Sequence, residues 1–302
     1  MNVYLLSIIA AILIWSVSFV ATKIALKTFP PLSLGFVRFG LAAVLLGSFL
    51  AIRKNIEKPT PIDLAKLVSS GLLGITVYFS LENIGVKYST AADAAMIIAS
   101  YPAITMLLEV LFFRVKFPII SIIGVGLTIA GVYLIISVNQ TLAATNGRLF
   151  GNVLLILAGF VWAGYNFITR QVVSNYPMTT ITFYQVTSGA IGFMPLLFFE
   201  IDQWSIPTAE SLIAAMYLAL FCSLIAFYLY AYGLRQLNST YAVILMNLVP
   251  VFGVIFAVLI LHERIYFMQV LGGIITISGV LVSVMSNKKH NDVNDLDFEN
   301  IK

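Results

Sequence analysis

Charge is scarce in this chain: 10% of its 302 residues are Asp, Glu, Lys or Arg, where soluble domains carry roughly 25%. A chain so poor in charge cannot cover a water-facing surface. There is one cysteine, Cys222, which excludes an intrachain disulfide. Two histidines, His262 and His290, are too few and too far apart for an all-histidine metal site. No Gly-x4-Gly-Lys-Ser/Thr loop is present to hold nucleotide phosphates. His262-Glu263 lacks a second His at helical spacing, and there is no Gly-x-Ser-x-Gly elbow, so an intramembrane enzyme is disfavoured. Neither a cofactor nor a metal is expected. The net charge of +4 does not indicate nucleic acid, because the basic residues sit in short loops between apolar runs and form no basic face.

What the chain has in abundance is apolar length. Hydrophobic residues make up 60% of it, and the mean hydropathy is +1.00. On a ruler of about 20 residues per crossing, ten spans are expected, near 3–25, 33–52, 66–86, 91–112, 118–138, 149–171, 180–200, 210–232, 239–261 and 265–286. The segment from Val3 lacks the basic leader of a cleaved signal peptide and reads as the first permanent helix. Residues 287–302 are rich in Asn, Asp and Lys, without apolar period, and read as a disordered cytoplasmic tail.

The spans form two copies of one pattern. Gly85, Pro102, Gly124 and Gly131 recur as Gly233, Pro250, Gly272 and Gly279, each pair 148 residues apart (233−85, 250−102, 272−124, 279−131). Upstream, Trp15, Lys23, Pro30 and Phe36 recur as Trp162, Arg170, Pro177 and Phe183, 147 apart. The expected architecture is all-α: a five-helix repeat over 3–138 and a second over 149–286. An odd number of crossings turns the second copy upside down, as in many secondary transporters.

If the N-terminus is cytoplasmic, Lys23, Lys27, Lys87, Arg148 and Arg264 lie outside, Arg38 lies within a helix, and the other eleven of the seventeen basic residues lie inside. Both termini are therefore expected in the cytoplasm, with the protein in the plasma or inner membrane. Lys23 is then expected to snorkel to the outer interface. The glycines at 124, 126, 131, 272, 273 and 279 let backbones approach, for packing or for a homodimer.

A charge at the centre of a membrane helix costs about 2.5–3.5 kcal/mol, so such residues are functional candidates. Arg38 and Glu82 are the first of these, placed to pair with each other or to hold an anionic or zwitterionic solute; Glu82 is also the candidate for proton coupling. Tyr78 lies one turn from Glu82, and the repeat counterparts of Arg38 and Glu82 are the uncharged Gln185 and Tyr230. Glu109 is expected to pair with Arg114 or Lys116, and Asp93 to be a helix-start charge. Trp15 and Trp162 at mid-depth either pack between helices or line a solute path, with Tyr101, Asn166 and Asn247 as further polar candidates. Pro102 and Pro250 fall mid-span, as static kinks or as hinges.

This pattern resembles the drug/metabolite transporter superfamily, in its ten-helix branch with two EamA-type domains. The residues carrying the likeness are Trp15-Ser16 with Phe19, Lys23, Pro30 and Arg38; Pro102; Gly124 to Gly131; Trp162-Ala163 with Asn166-Phe167 and Arg170; Pro250; and Glu263-Arg264 with Gly272 and Gly279. It covers residues 3–286. The resemblance implies a central cavity lined by helices 1, 3, 4, 6, 8 and 9, with helices 5 and 10 set aside, and export of amino acids, metabolites or toxic compounds. One departure stands out: the family's acidic residue after helix 4 is replaced by Val115. The expected function is alternating-access transport of a small organic solute, most favourably efflux. An importer of the same fold, a channel and a non-transporting scaffold are the alternatives.

Overall fold

A computed structural model of the chain describes residues 3–53, 57–115, 117–141, 147–233 and 245–299. Among these, nine helices are long and apolar enough to cross a membrane. They are α1 (Val3–Ala25), α2 (Pro31–Arg53), α3 (Pro61–Tyr88), α4 (Ala91–Phe113), α5 (Ile119–Thr141), α6 (Arg148–Thr169), α7 (Met178–Gln203), α8 (Ala209–Tyr217, Leu218–Ile225 and Ala226–Gly233) and α10 (Phe267–Glu299). A shorter apolar helix, α9 (Leu248–Leu261), completes the ten; the expected start of its span, near 239, lies outside the described residues. Where an irregular tail is expected from residue 287, the backbone of α10 continues as helix to Glu299.

Local chemistry sets the helix starts. Thr60, Thr90 and Thr208 accept hydrogen bonds from the backbone N–H of Asp63, Asp93 and Ser211 at 3.2, 3.0 and 3.3 Å, each satisfying one orphan donor of a first turn. Thr60 and Thr208 are themselves 148 apart, so the repeat extends to the caps. It also reaches the far ends of α4 and α9, where Arg114 and His262 both adopt φ 54° in left-handed helix-terminating turns.

The inversion of the second copy is visible in α5 and α10, which pack antiparallel along their small residues. Ser121 and Ser283 exchange hydrogen bonds from hydroxyl to backbone carbonyl, both 3.0 Å. Further along, a Cβ placed on Gly279 would stand 2.6 Å from the carbonyl oxygen of Gly124, and one on Gly272 equally close to that of Gly131. The repeat offset carries the first of these contacts onto the second, so the pair is nearly self-symmetric. These glycines are consumed within the chain, and a homodimer would have to use other faces.

The two halves interlock. Helix α1 packs on α8 and α9, and α6 packs on α3 and α4; α2 lies against both α7 and α8. The middle segment of α3 (Leu72–Val77) and that of α8 (Leu218–Ile225) are wound as π-helix, a wider coil with i→i−5 bonds. Each faces the first two helices of the opposite half. No residue preference announces these π turns, which change register without changing composition.

Helices α4 and α9 are broken, where the sequence suggested continuous helices bent at proline. The first divides into Ala91–Ile98 and Tyr101–Phe113, and α9 begins after a turn at Asn247. Pro102 therefore occupies the first turn of a helical segment, where its missing N–H leaves no bond unmade. Pro102 is exposed and Pro250 buried.

Candidate functional site

Arg38 enters the bundle from α2 with 6% of its surface exposed. Its Nε donates to Ser223 Oγ in the π segment of α8 at 2.9 Å. Its guanidinium lies 4.9 Å from the ring centre of Phe39 and 4.6 Å from that of Phe79 on α3. The stacking is favourable by about 0.5–2 kcal/mol per ring, yet neither ring accepts a directed N–H bond as an oxygen would. One turn along α3 from Tyr78 is Glu82, 5% exposed, with the Tyr78 hydroxyl as polar neighbour and Arg38 as the cation acting on it. Arg38 and Glu82 do not form an ion pair within 4.0 Å; the four bridges among the described residues lie elsewhere. Thus the structure brings these two candidates into one electrostatic neighbourhood and leaves them unjoined.

The tryptophans repeat the interlocking of the halves. Trp15 on α1 meets Phe227 and Tyr230 of α8 at ring-centre distances of 5.2 and 5.5 Å, and its Nε1 donates to the Cys222 carbonyl at 3.1 Å. Trp162 on α6 meets Tyr78 of α3 at 5.1 Å and Tyr165 at 4.9 Å. Tyr101 packs edge-on to Tyr78 and donates its hydroxyl to the Leu155 carbonyl at 2.8 Å. Gln185, the counterpart of Arg38, donates to Ser70 and Thr169 at 2.9 and 3.0 Å and accepts from the Tyr165 hydroxyl at 3.3 Å. Asn166 is turned back onto its own helix, donating to the Trp162 carbonyl at 2.8 Å. Asn247 is half-buried at the turn before α9. Tyr78, Tyr101, Trp162, Arg38 and Glu82 form one connected group; Trp15 and Tyr230 form a second; Gln185 and Asn166 are bound into the wall.

A second charged cluster was not expected from the sequence. Asp93, fully buried, accepts from Arg148 Nε and Nη2 at 2.8 and 3.1 Å, from Asn152 at 3.1 Å and from Gln269 at 2.6 Å. Ser89 donates to the Asn152 side-chain oxygen. These groups come from the starts of α4, α6 and α10, so one knot ties both halves together. Asp93 is a helix-start charge, as read, but its partner Arg148 is no loop cation.

Three further charged side chains find distant partners. Lys23 Nζ donates to the carbonyls of Val86, Lys87 and Ser89, closing the end of α3. Glu109 pairs with Arg170, just past the end of α6, at 2.5 Å and not with Arg114; Lys116 lies outside the described residues. Glu263 accepts from the N–H groups of Ala91 and Ala92 at 2.8 and 2.9 Å and so caps α4. All three partners are 60 or more residues away in sequence, beyond any spacing rule.

An open groove of about 560 Å³ lies between the starts of α3 and the end of α6, lined by Pro61, Ile62, Ala65, Lys66, Ser69, Ile168 and Gln171. It contains none of the candidate residues and belongs to the surface.

Two interlocked halves of opposite orientation, with buried charge at their seam, define a multi-pass membrane protein of the inverted-repeat transporter class. Residues 2–137 and 149–285 each match the EamA-like transporter family, and the chain belongs to that family. It is 32% identical over 274 residues to an uncharacterized transporter of Archaeoglobus fulgidus, covering 90% of this chain and 93% of the other. An uncharacterized transporter of Bacillus subtilis, YetK, is 27% identical, with 94% and 87% covered. A protein of Streptantibioticus cattleyicolor named a probable terminal-alkyne amino-acid exporter is 24% identical, with 91% of each covered. A crystal structure at 16% identity superposes with a TM-score of 0.63 over 94% of this chain and 97% of its own. The chain is thus a transporter acting on a small-molecule solute in a membrane.

Proposed function

We propose that this transporter exports a small organic solute across the plasma membrane by alternating access, with both termini cytoplasmic and without catalysis by the chain. The observation that supports this most is the unjoined pair Arg38 and Glu82, two opposite charges buried in one aromatic neighbourhood at the seam of the halves. Buried charges left without a partner are costly, and a zwitterionic solute would supply both partners at once. Amino acids therefore stand first among amino acids, metabolites and drugs, in keeping with the printed name of the Streptantibioticus relative. Trp15, Tyr78, Tyr101, Trp162, Gln185, Tyr230, Asn166 and Asn247 would bound the path. The breaks before Pro102 and Pro250 would serve as hinges.

The test is uptake and counterflow in proteoliposomes against panels of amino acids, nucleobases and cationic drugs. Saturable flux stimulated by solute on the opposite side is expected; flux that rises linearly with concentration would indicate a channel, and none at all a scaffold. Proton coupling through Glu82 predicts that Glu82→Gln flattens the pH dependence of transport. A variant following pH as the parent does removes that role.

A further inference from the structure

Arg38 gives one edge of its guanidinium to the protein and withholds the other. Nε is bonded to Ser223, and Phe39 and Phe79, whose ring centres are 4.5 Å apart, pack together against one side of the group. The remaining donors are the two Nη groups, and among the described residues neither has a protein acceptor within hydrogen-bond distance. Nor are they among the sealed, unpartnered polar atoms of the described residues, which are all threonine hydroxyls. Both must therefore open onto space that a water can reach. An arginine used only as structural glue looks different here: Arg148 spends both Nε and Nη2 on Asp93.

The π turn of α8 is what aims Ser223. Its hydroxyl donates to the carbonyl of Leu218, five residues back, at 3.0 Å, so its lone pairs are left to accept from Arg38. Five residues is the π spacing; an α-helical continuation would turn Ser223 by about 100° about the axis relative to Leu218. Resting on the reading of Arg38 as part of the solute path, we infer that its free Nη edge is a carboxylate subsite and that Ser223 is the residue that positions it. A planar guanidinium edge matches a planar oxyanion through two parallel bonds. The paired phenyl rings on one side of the guanidinium suit an apolar or aromatic body beside the carboxylate. The neighbouring Glu82 disfavours ligands with two negative charges.

The experiment compares benzoate with its neutral isostere benzamide on the purified full-length chain, by calorimetric titration and thermal shift. Benzoate binds and benzamide does not; Arg38→Gln abolishes benzoate binding. Ser223→Ala weakens it about tenfold, the value of one charge-assisted hydrogen bond, while Ser223→Thr, which keeps the hydroxyl, binds as the parent does. The unfolding temperature without ligand, measured on every variant, separates loss of positioning from loss of fold. Equal binding of benzamide and benzoate overturns the carboxylate subsite, and parental benzoate affinity in Ser223→Ala overturns the role of Ser223. Benzoate binding in a protein that shows no counterflow for any solute would instead remove the transport reading and leave the subsite standing.

Discussion

Two buried arginine–acid neighbourhoods sit in this bundle, and they differ in how completely their charges are answered. Asp93 receives four hydrogen bonds from Arg148, Asn152 and Gln269, two of them from Arg148, with the Ser89 hydroxyl a further 3.3 Å neighbour, and every group in that knot is tied to another helix. Arg38 and Glu82 are equally buried but have one directed bond to a serine, two rings and a phenol between them. Satisfied charge holds the ends of helices in place. Charge left unsatisfied is affordable only where something else completes it, and the proposed solute site therefore rests on the second neighbourhood and not the first.

The sharpest way to break this comparison is to remove one partner from the satisfied site. Arg148→Ala leaves Asp93 buried without its cation and is expected to destabilise by about 3–5 kcal/mol, read as a large fall in unfolding temperature in detergent. Asp93→Asn in the Arg148→Ala background should recover part of that loss, because the orphaned charge is gone. An Arg148→Ala variant as stable as the parent would make the two neighbourhoods alike and remove the distinction.

A second, smaller effect probes the frame that holds both sites. Gly279→Ala puts a methyl group 2.6 Å from the Gly124 carbonyl, against backbone that cannot swing aside. Overpacking of this kind costs about 1–3 kcal/mol. Gly126→Ala on the same helix as Gly124 meets nothing within 4 Å and should be neutral, so the two variants measured by thermal unfolding give the test its own control.

Smaller still, in stability though not in function, is Glu82→Gln. Neutralising an acid that has no ion-pair partner should leave stability within about 1 kcal/mol of the parent, or raise it. Flux in proteoliposomes is expected to fall at least about tenfold, the equivalent of 1.4 kcal/mol. Matched with the Arg148 variant, this yields opposite signatures: one unfolds, the other folds and does not transport.

How much of this was legible in the sequence follows from the range of each interaction. The repeat showed because glycines at a backbone-to-backbone crossing cannot be replaced, so Gly124, Gly131, Gly272 and Gly279 carry the symmetry in their spacing. Arg38 and Glu82 showed because charge within an apolar run is conspicuous. Arg148 did not: it stands just after Asn146-Gly147, and a hydropathy count treats a helix-start cation as part of the loop. Its partner is 55 residues away, a distance at which sequence pairing has no periodicity to follow. The π turns in α3 and α8 were hidden for a different reason, since they rotate side chains without altering residue type. Nothing in the spacing of the apolar 210–232 span singles out Ser223.

The least effect belongs to Glu109 and Arg170, which also join the two halves, at the opposite ends of α4 and α6 from the Asp93 knot. Their contact is short, 2.5 Å, but the Arg170 side chain is 64% exposed. Water and salt screen such a pair, and exposed bridges are generally worth about 0–1 kcal/mol. A double-mutant cycle with Glu109→Ala and Arg170→Ala should accordingly give a coupling below about 1 kcal/mol that shrinks as salt is added. A coupling above about 2 kcal/mol would mean that this end is latched as firmly as the other. The fold would then hold both ends with comparable strength, and the asymmetry between a tied end and a releasable one that the proposed alternating access would use would have to be sought in the π turns instead.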